Sequence, residues 1–189
     1  MTTTTTTDYK VCPPGEDAGK YVPGDFVLVS SKGILAKFIR FGQFIRYHGE
    51  MKPFSKWNHA VMVIDEDGSI IEAVGRGVVI SNISEYKDVE YYYVSTNLNK
   101  QNRDQTVAAC KNFLKDKYGW VTILSIAMEL LSGIKIQFTN SNTMICSAVV
   151  GQSLWAGGII FDTNPYQMMP ADLAAAFKIF SFDNITKNH

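Results

Sequence analysis

The chain has 189 residues, with 18 Lys plus Arg against 18 Asp plus Glu, a length that makes one domain and buries roughly 70% of the unfolded surface without a metal or a disulfide. Balanced charge and the lack of a long basic stripe exclude nucleic acid as an expected partner. Cys12, Cys110 and Cys146 form no CxxC pair, and His48, His59 and His189 have no ligand spacing, so reduced thiols, no metal and no cofactor are expected.

Six threonines follow Met1, and the basic then apolar pattern of a secretory leader is missing. Residues 1–20 are therefore expected to be a disordered Thr-rich tail, 21–182 a single domain and 183–189 a polar tail, in a cytoplasmic protein of phage-encoded or host-cytosolic origin. Pro23-Gly24-Asp25 is turn chemistry leading into the apolar strand Phe26-Val27-Leu28-Val29. Apolar spacing at Leu35, Phe38, Ile39 and Ile45 predicts a helix over 34–47, and residues 48–56, with Gly49 and Pro53 and no period, a loop.

Strands are expected at 59–64 and 69–74, joined through Asp65-Glu66-Asp67-Gly68 as a hairpin turn. With four loop residues, His59, Val61 and Val63 share a face with Ile70, Glu72 and Val74. Glu72 then stands opposite Val61 and diagonal to His59, roughly 7–8 Å away between backbones, within reach of two long side chains. Gly75-Arg76-Gly77 turns the chain into a strand at 78–80, and a further strand is expected at 89–96; short connections make the pairing antiparallel.

Helices are predicted over 102–117, from the spacing of Val107, Cys110, Phe113 and Leu114, and over 120–131, closed by Gly133. The apolar stretch 120–134 contains Glu129 and is shorter than the roughly 20 residues that cross a bilayer, so it reads as a buried helix and no transmembrane segment is expected. A short strand is expected at 134–138. Asn140-Ser141-Asn142-Thr143 offers N-caps for a helix over 144–156 stopped by Gly157-Gly158, which puts Cys146 in its first turn. A last short helix begins at Pro170-Ala171-Asp172-Leu173.

Three of these residues make a chemistry together. An ordinary cysteine, with a pKa of about 8.5, is mostly protonated at neutral pH. The positive end of a helix and an imidazole within hydrogen-bond reach both favour its thiolate, and amides at the same helix start can receive an oxyanion. Glu72, alone in the apolar run Ile70-Ile71-Glu72-Ala73-Val74, is costly to bury without a partner; paired with His59 it fixes the imidazole tautomer. Each also has an ordinary reading: Cys146 as a packing residue, His59 as a satisfied half-buried histidine, Glu72 on a wet edge strand. Gly151-Gln152-Ser153 is not a nucleophile elbow, and Gly75-Arg76-Gly77 lacks the lysine of a phosphate loop.

In chain order, Pro23-Gly24-Asp25-Phe26-Val27-Leu28, Trp57-Asn58-His59-Ala60, Glu72-Ala73 through Gly77-Val78, Ile145-Cys146-Ser147 and Pro170-Ala171-Asp172-Leu173 resemble the motifs of the circularly permuted papain-like thiol hydrolases. These are relatives of NlpC-type peptidases and include the YaeF/YiiX-type amidases and the lecithin:retinol acyltransferase group. The resemblance implies an α+β fold, an antiparallel sheet or small barrel packed against the nucleophile helix, with histidine before cysteine. It implies hydrolysis or transfer at amide or ester carbonyls through a thioester on a Cys146, His59, Glu72 triad. A glutamate at 72 looks like the amidase branch, since the acyltransferases tend to place histidine there. Lipid acyl transfer and a non-catalytic binding module that keeps the fold are the alternatives, and peptide, amide and lipid-like substrates stay open, as does the oligomeric state. By analogy Tyr118 lines the substrate site or aids the oxyanion; Trp57, Asn58 and Ser147, beside the histidine and the cysteine, are placed with it in substrate binding.

Overall fold

The computed structural model describes residues 8–30, 43, 47–74, 77–115 and 146–179. One six-stranded antiparallel sheet organises them, with β1 (Asp8–Cys12), β2 (Phe26–Val29), β3 (His59–Val63), β4 (Ser69–Val74), β5 (Gly77–Asn82) and β6 (Tyr91–Ser95) in the order β1-β6-β2-β3-β4-β5. Three α-helices accompany it among the described residues: α1 (Lys100–Asn112), α2 (Cys146–Ala156) and α3 (Pro170–Ala176). No described helix is long and apolar enough to cross a membrane.

The sheet separates two cores, which is why its central strands are apolar on both faces. Phe26, Leu28, Ala60, Met62, Ile71, Ala73, Tyr92 and Val94 face the helices and pack with Cys110, Val149, Val150, Leu154, Leu173 and Phe177. The alternate residues, Val27, Val29, Val61, Val63, Ile70, Tyr91 and Tyr93, pack under the connecting segments that carry Ala18, Tyr21, Ile83, Tyr86 and Val89. Every residue of α2 from Cys146 to Leu154 is buried, the pattern of a helix enclosed all round.

Glycine sets the close approach of α2 to α1. A Cβ on Gly157 would lie 1.9 Å from Thr106 Oγ1 and 2.9 Å from the Asn102 carbonyl oxygen. The stop expected at Gly157-Gly158 is present, with Gly158 at φ +93, a conformation glycine adopts without strain. Asp25, 1% exposed, ties α1 to the sheet: it accepts from Arg103 Nη1 at 2.7 Å, Tyr93 Oη at 2.9 Å and the Thr96 amide at 3.0 Å.

Four expectations change. Residues 8–12, read as part of a tail, form the edge strand β1, where Tyr9 stacks on Tyr92 at 5.6 Å and Cys12 is buried. Residues 49–56, read as loop, form a 3-10 helix, whose three-residue turn shows no 3.6-residue period. The helix expected over 102–117 begins earlier, because Asn99 caps it by accepting from the Asn102 amide at 2.9 Å. It ends at Asn112 and passes into a 3-10 turn, Phe113–Lys115. The predicted helix over 34–47, except Gln43 and Tyr47, the helix over 120–131, the strand at 134–138 and the caps at 140–143 lie outside the described residues.

Candidate active site

β3 and β4 pair at Met62↔Ile71 and Val63↔Ile70, and the Ile64 amide donates to the Ser69 carbonyl at 2.9 Å. The turn is thus Asp65-Glu66-Asp67-Gly68, in the register the loop length requires, and the ladder stops one position short of the expected pair of Val61 with Glu72. Beyond Met62 each strand keeps only its other neighbour: β3 stays on β2 as far as Val29↔His59, and β4 stays on β5 as far as Val74↔Gly77. Alternate amides of a strand point to opposite sides, so the Ala60 amide faces the gap where β4 has left. There it hydrogen-bonds Cys146.

Cys146 opens α2, which packs on the Ala60 and Met62 face of the sheet, whereas His59 and Glu72 belong to the opposite face with Val61 and Ile70. The two sides meet at the open end of β3. The Cys146 thiol hydrogen-bonds the His59 imidazole, and His59 Nε2 lies 3.0 Å from Glu72 Oε2, leaving Nδ1 for the sulfur. Glu72, with 4% of its side chain exposed, also accepts from Tyr86 Oη on the same oxygen and from Ser81 Oγ on Oε1. The Tyr86 ring lies 6.0 Å from the imidazole.

This environment dictates the charges. Burial alone raises the Cys146 thiol, but the His59 charge, its hydrogen bond and the Ala60 and Ser147 amides together hold it below its ordinary value. Burial alone lowers His59, and the charge and hydrogen bonds of Cys146 and Glu72 push it up to about 10. Burial raises Glu72, and its three donors more than offset this, holding it at about 2. Tyr86 is raised by burial and by the Glu72 charge, so it stays a donor. These directions favour a thiolate beside an imidazolium backed by a carboxylate.

The other two cysteines set the contrast. Burial pushes Cys110 up to about 12 and raises Cys12, so Cys146 alone of the three thiols is favoured as an anion. Among the described residues no group of His, Cys, Asp and Glu is arranged to hold a metal ion.

The structure therefore brings Cys146, His59 and Glu72 together, with the Ser147 amide beside the sulfur. Trp57 and Asn58 are buried in the turn that enters β3; the Trp57 ring meets Tyr92 edge-on at 4.5 Å and its carbonyl accepts from Gln43 Nε2 at 2.6 Å. Ser147, also buried, donates through Oγ to the Met168 carbonyl at 2.6 Å and anchors α2 to the segment before α3. Tyr118 lies outside the described residues. Sequence reasoning missed Tyr86 and Ser81. Ser81 had a signal, since on β5 it shares the Glu72 face; Tyr86 sits on the 3-10 turn Ile83–Tyr86, whose docking is non-local. No protein-family model and no curated protein matches the sequence.

Proposed function

We propose that this chain is a cysteine-dependent hydrolase that cleaves an amide or ester bond through a thioester on Cys146, in the manner of the permuted papain-like, NlpC-related hydrolases. The observation that carries the reading is the series Cys146, His59, Glu72, in which the one thiol held low is hydrogen-bonded to an imidazole whose far nitrogen is 3.0 Å from a buried carboxylate. Histidine before cysteine in the chain and glutamate in third place support the amidase branch of that family.

In this reading the Cys146 thiolate attacks the substrate carbonyl, a C–S bond forms, and the carbonyl electron pair moves to oxygen. The Ala60 and Ser147 amides beside the sulfur are the backbone donors available to that charge. As the tetrahedral adduct collapses, the leaving amine or alkoxide takes the proton of the His59 imidazolium, giving a thioester and a neutral imidazole. A water then gives a proton to His59 as its oxygen attacks the thioester. The acid departs, and thiolate and imidazolium are restored. Glu72 stays ionised throughout and holds the ring. Cys146 is 1% exposed and the imidazole side chain 15%, so the histidine edge is the more solvent-facing part of the pair.

The test is intact-mass analysis after reaction with iodoacetamide at pH 5 to 6, and after acid quench of turnover with small activated amides and esters. Adducts on Cys146 that vanish in Cys146→Ala are expected. Labelling that persists in Cys146→Ala, on Cys12 or Cys110, refutes the assignment.

A further inference from the structure

We propose that Tyr86 and Ser81 are positioning residues of the same site, which clamp the Glu72 carboxylate so that one oxygen is fixed toward His59. The inference rests on the thiolate-imidazolium reading above and adds two residues to it. Three donors from three separate elements converge on one carboxylate: His59 from β3, Ser81 from β5 and Tyr86 from the turn Ile83–Tyr86. A carboxylate has about four lone-pair sites, so this one is close to fully used.

The division of labour follows from which oxygen each donor takes. Ser81 occupies Oε1 and stops the carboxylate from swivelling, while Tyr86 shares Oε2 with His59. Rotation of Glu72 away from the imidazole would break two of these bonds. The charged and titratable groups bearing on this carboxylate are His59 directly, Tyr86 directly, Cys146 through His59, and Glu85, which acts on Tyr86.

Tyr86 is itself placed from outside the site. Its turn is capped by Asn82, whose side chain accepts from the Ser84 amide at 3.0 Å and donates to the Asp67 carbonyl at 3.2 Å. The Ile83 amide donates to the Gly68 carbonyl at 2.9 Å. Gly68, at φ +80, leaves no room for a Cβ, which would meet Ile83 Cγ2 and Tyr21 Cε2 at 2.9 Å. The hairpin turn that sets the register of His59 and Glu72 is thus also the dock for the residue that locks them.

The experiment is the pH profile of Cys146 alkylation by iodoacetamide, read by intact mass between pH 3 and 9, in the wild type, Tyr86→Phe and Ser81→Ala, with melting temperature as a control for folding. In the wild type the rate should hold into the acid range. Loss of either donor frees the Glu72 carboxylate to turn from the imidazole and weakens the support of the thiolate, so the acid limb should move up by about one pH unit, a roughly 10-fold loss of rate on that limb, while the rate at pH 8 changes little. Tyr86→Phe keeps the ring, so a role in packing alone predicts an unmoved limb. An unmoved limb in both folded variants overturns the positioning role. A wild-type profile that follows an ordinary thiol, with no acid plateau, instead overturns the thiolate reading and takes this inference with it. Should a variant melt early, the imidazole nitrogen shifts of His59 in the other one decide the matter: unchanged shifts refute the clamp.

Discussion

Replacing Glu72 by glutamine isolates the charge at the centre of the site. An amide oxygen turned toward His59 and Tyr86 accepts both of their donors, and the amide nitrogen can donate to Ser81 Oγ, so the hydrogen-bond pattern survives and only the charge is lost. The wild-type carboxyl is held at about 2 against an ordinary 4.5, which at about 1.4 kcal/mol per pH unit sets an upper bound of about 3.5 kcal/mol on the stability its ionised form contributes. The side chain is 4% exposed, so solvent screening removes little of it, and the bonds retained by glutamine reduce the expected loss at pH 7 to about 2 kcal/mol. The sign follows from the lowered value: the contribution is fully present above pH 4.5 and is lost as pH falls through about 2. Urea unfolding of both proteins should therefore give curves about 2 kcal/mol apart at pH 7 that converge steadily below pH 4.5. Curves that stay parallel from pH 7 to pH 3 would refute the account of Glu72 as a buried, ionised partner of His59.

Two further outcomes follow from the same coordinates. His59 is raised from 6.5 to about 10, a contribution complete below 6.5 and lost as pH rises through 10, while Cys146 is lowered from 9.0, a contribution complete above 9.0 and lost as pH falls. Between 6.5 and 9.0 the folded and unfolded pair each hold one proton, so wild-type stability in urea unfolding should be flat there; a clear slope across that window counts against the ion pair. Gly157→Ala should lower stability by about 2–3 kcal/mol in urea unfolding, because its Cβ would lie 1.9 Å from Thr106 Oγ1 and 2.9 Å from the Asn102 carbonyl oxygen; a loss below 0.5 kcal/mol would show that α1 and α2 can part without cost.

How much of the site could be read from the residues depended on how local its determinants are. The His59 and Glu72 relation was readable because the length of Asp65-Glu66-Asp67-Gly68 and the two-residue period of a strand settle which side chains share a face. The helix that carries Cys146 was readable from Gly157-Gly158 at its far end, while the caps expected at 140–143 lie outside the described residues. Tyr86 was not, because the turn Ile83–Tyr86 reaches Glu72 through contacts with Asp67 and Gly68 that no periodicity encodes. β1 was missed for a related reason: Tyr9 and Val11 alternate with polar residues, yet two neighbours on each side are too few to outweigh the threonine run.

The feature with no trace in the sequence is the parting of β3 from β4, and the site depends on it. Had the ladder run on past Met62↔Ile71, the Ala60 amide would belong to β4 and no backbone donor of β3 would remain for the sulfur. Had β3 left β2 as well, His59 would lose the strand that aims it. Each strand instead keeps one neighbour, β2 for β3 and β5 for β4, so the gap stays framed while α2 delivers Cys146 from one face and Glu72 approaches from the other. A single ion pair then spans the end of the sheet, and the cost of drawing a thiol, an imidazole and a carboxylate from water is offset by mutual charge and by donors that the parted strands set free.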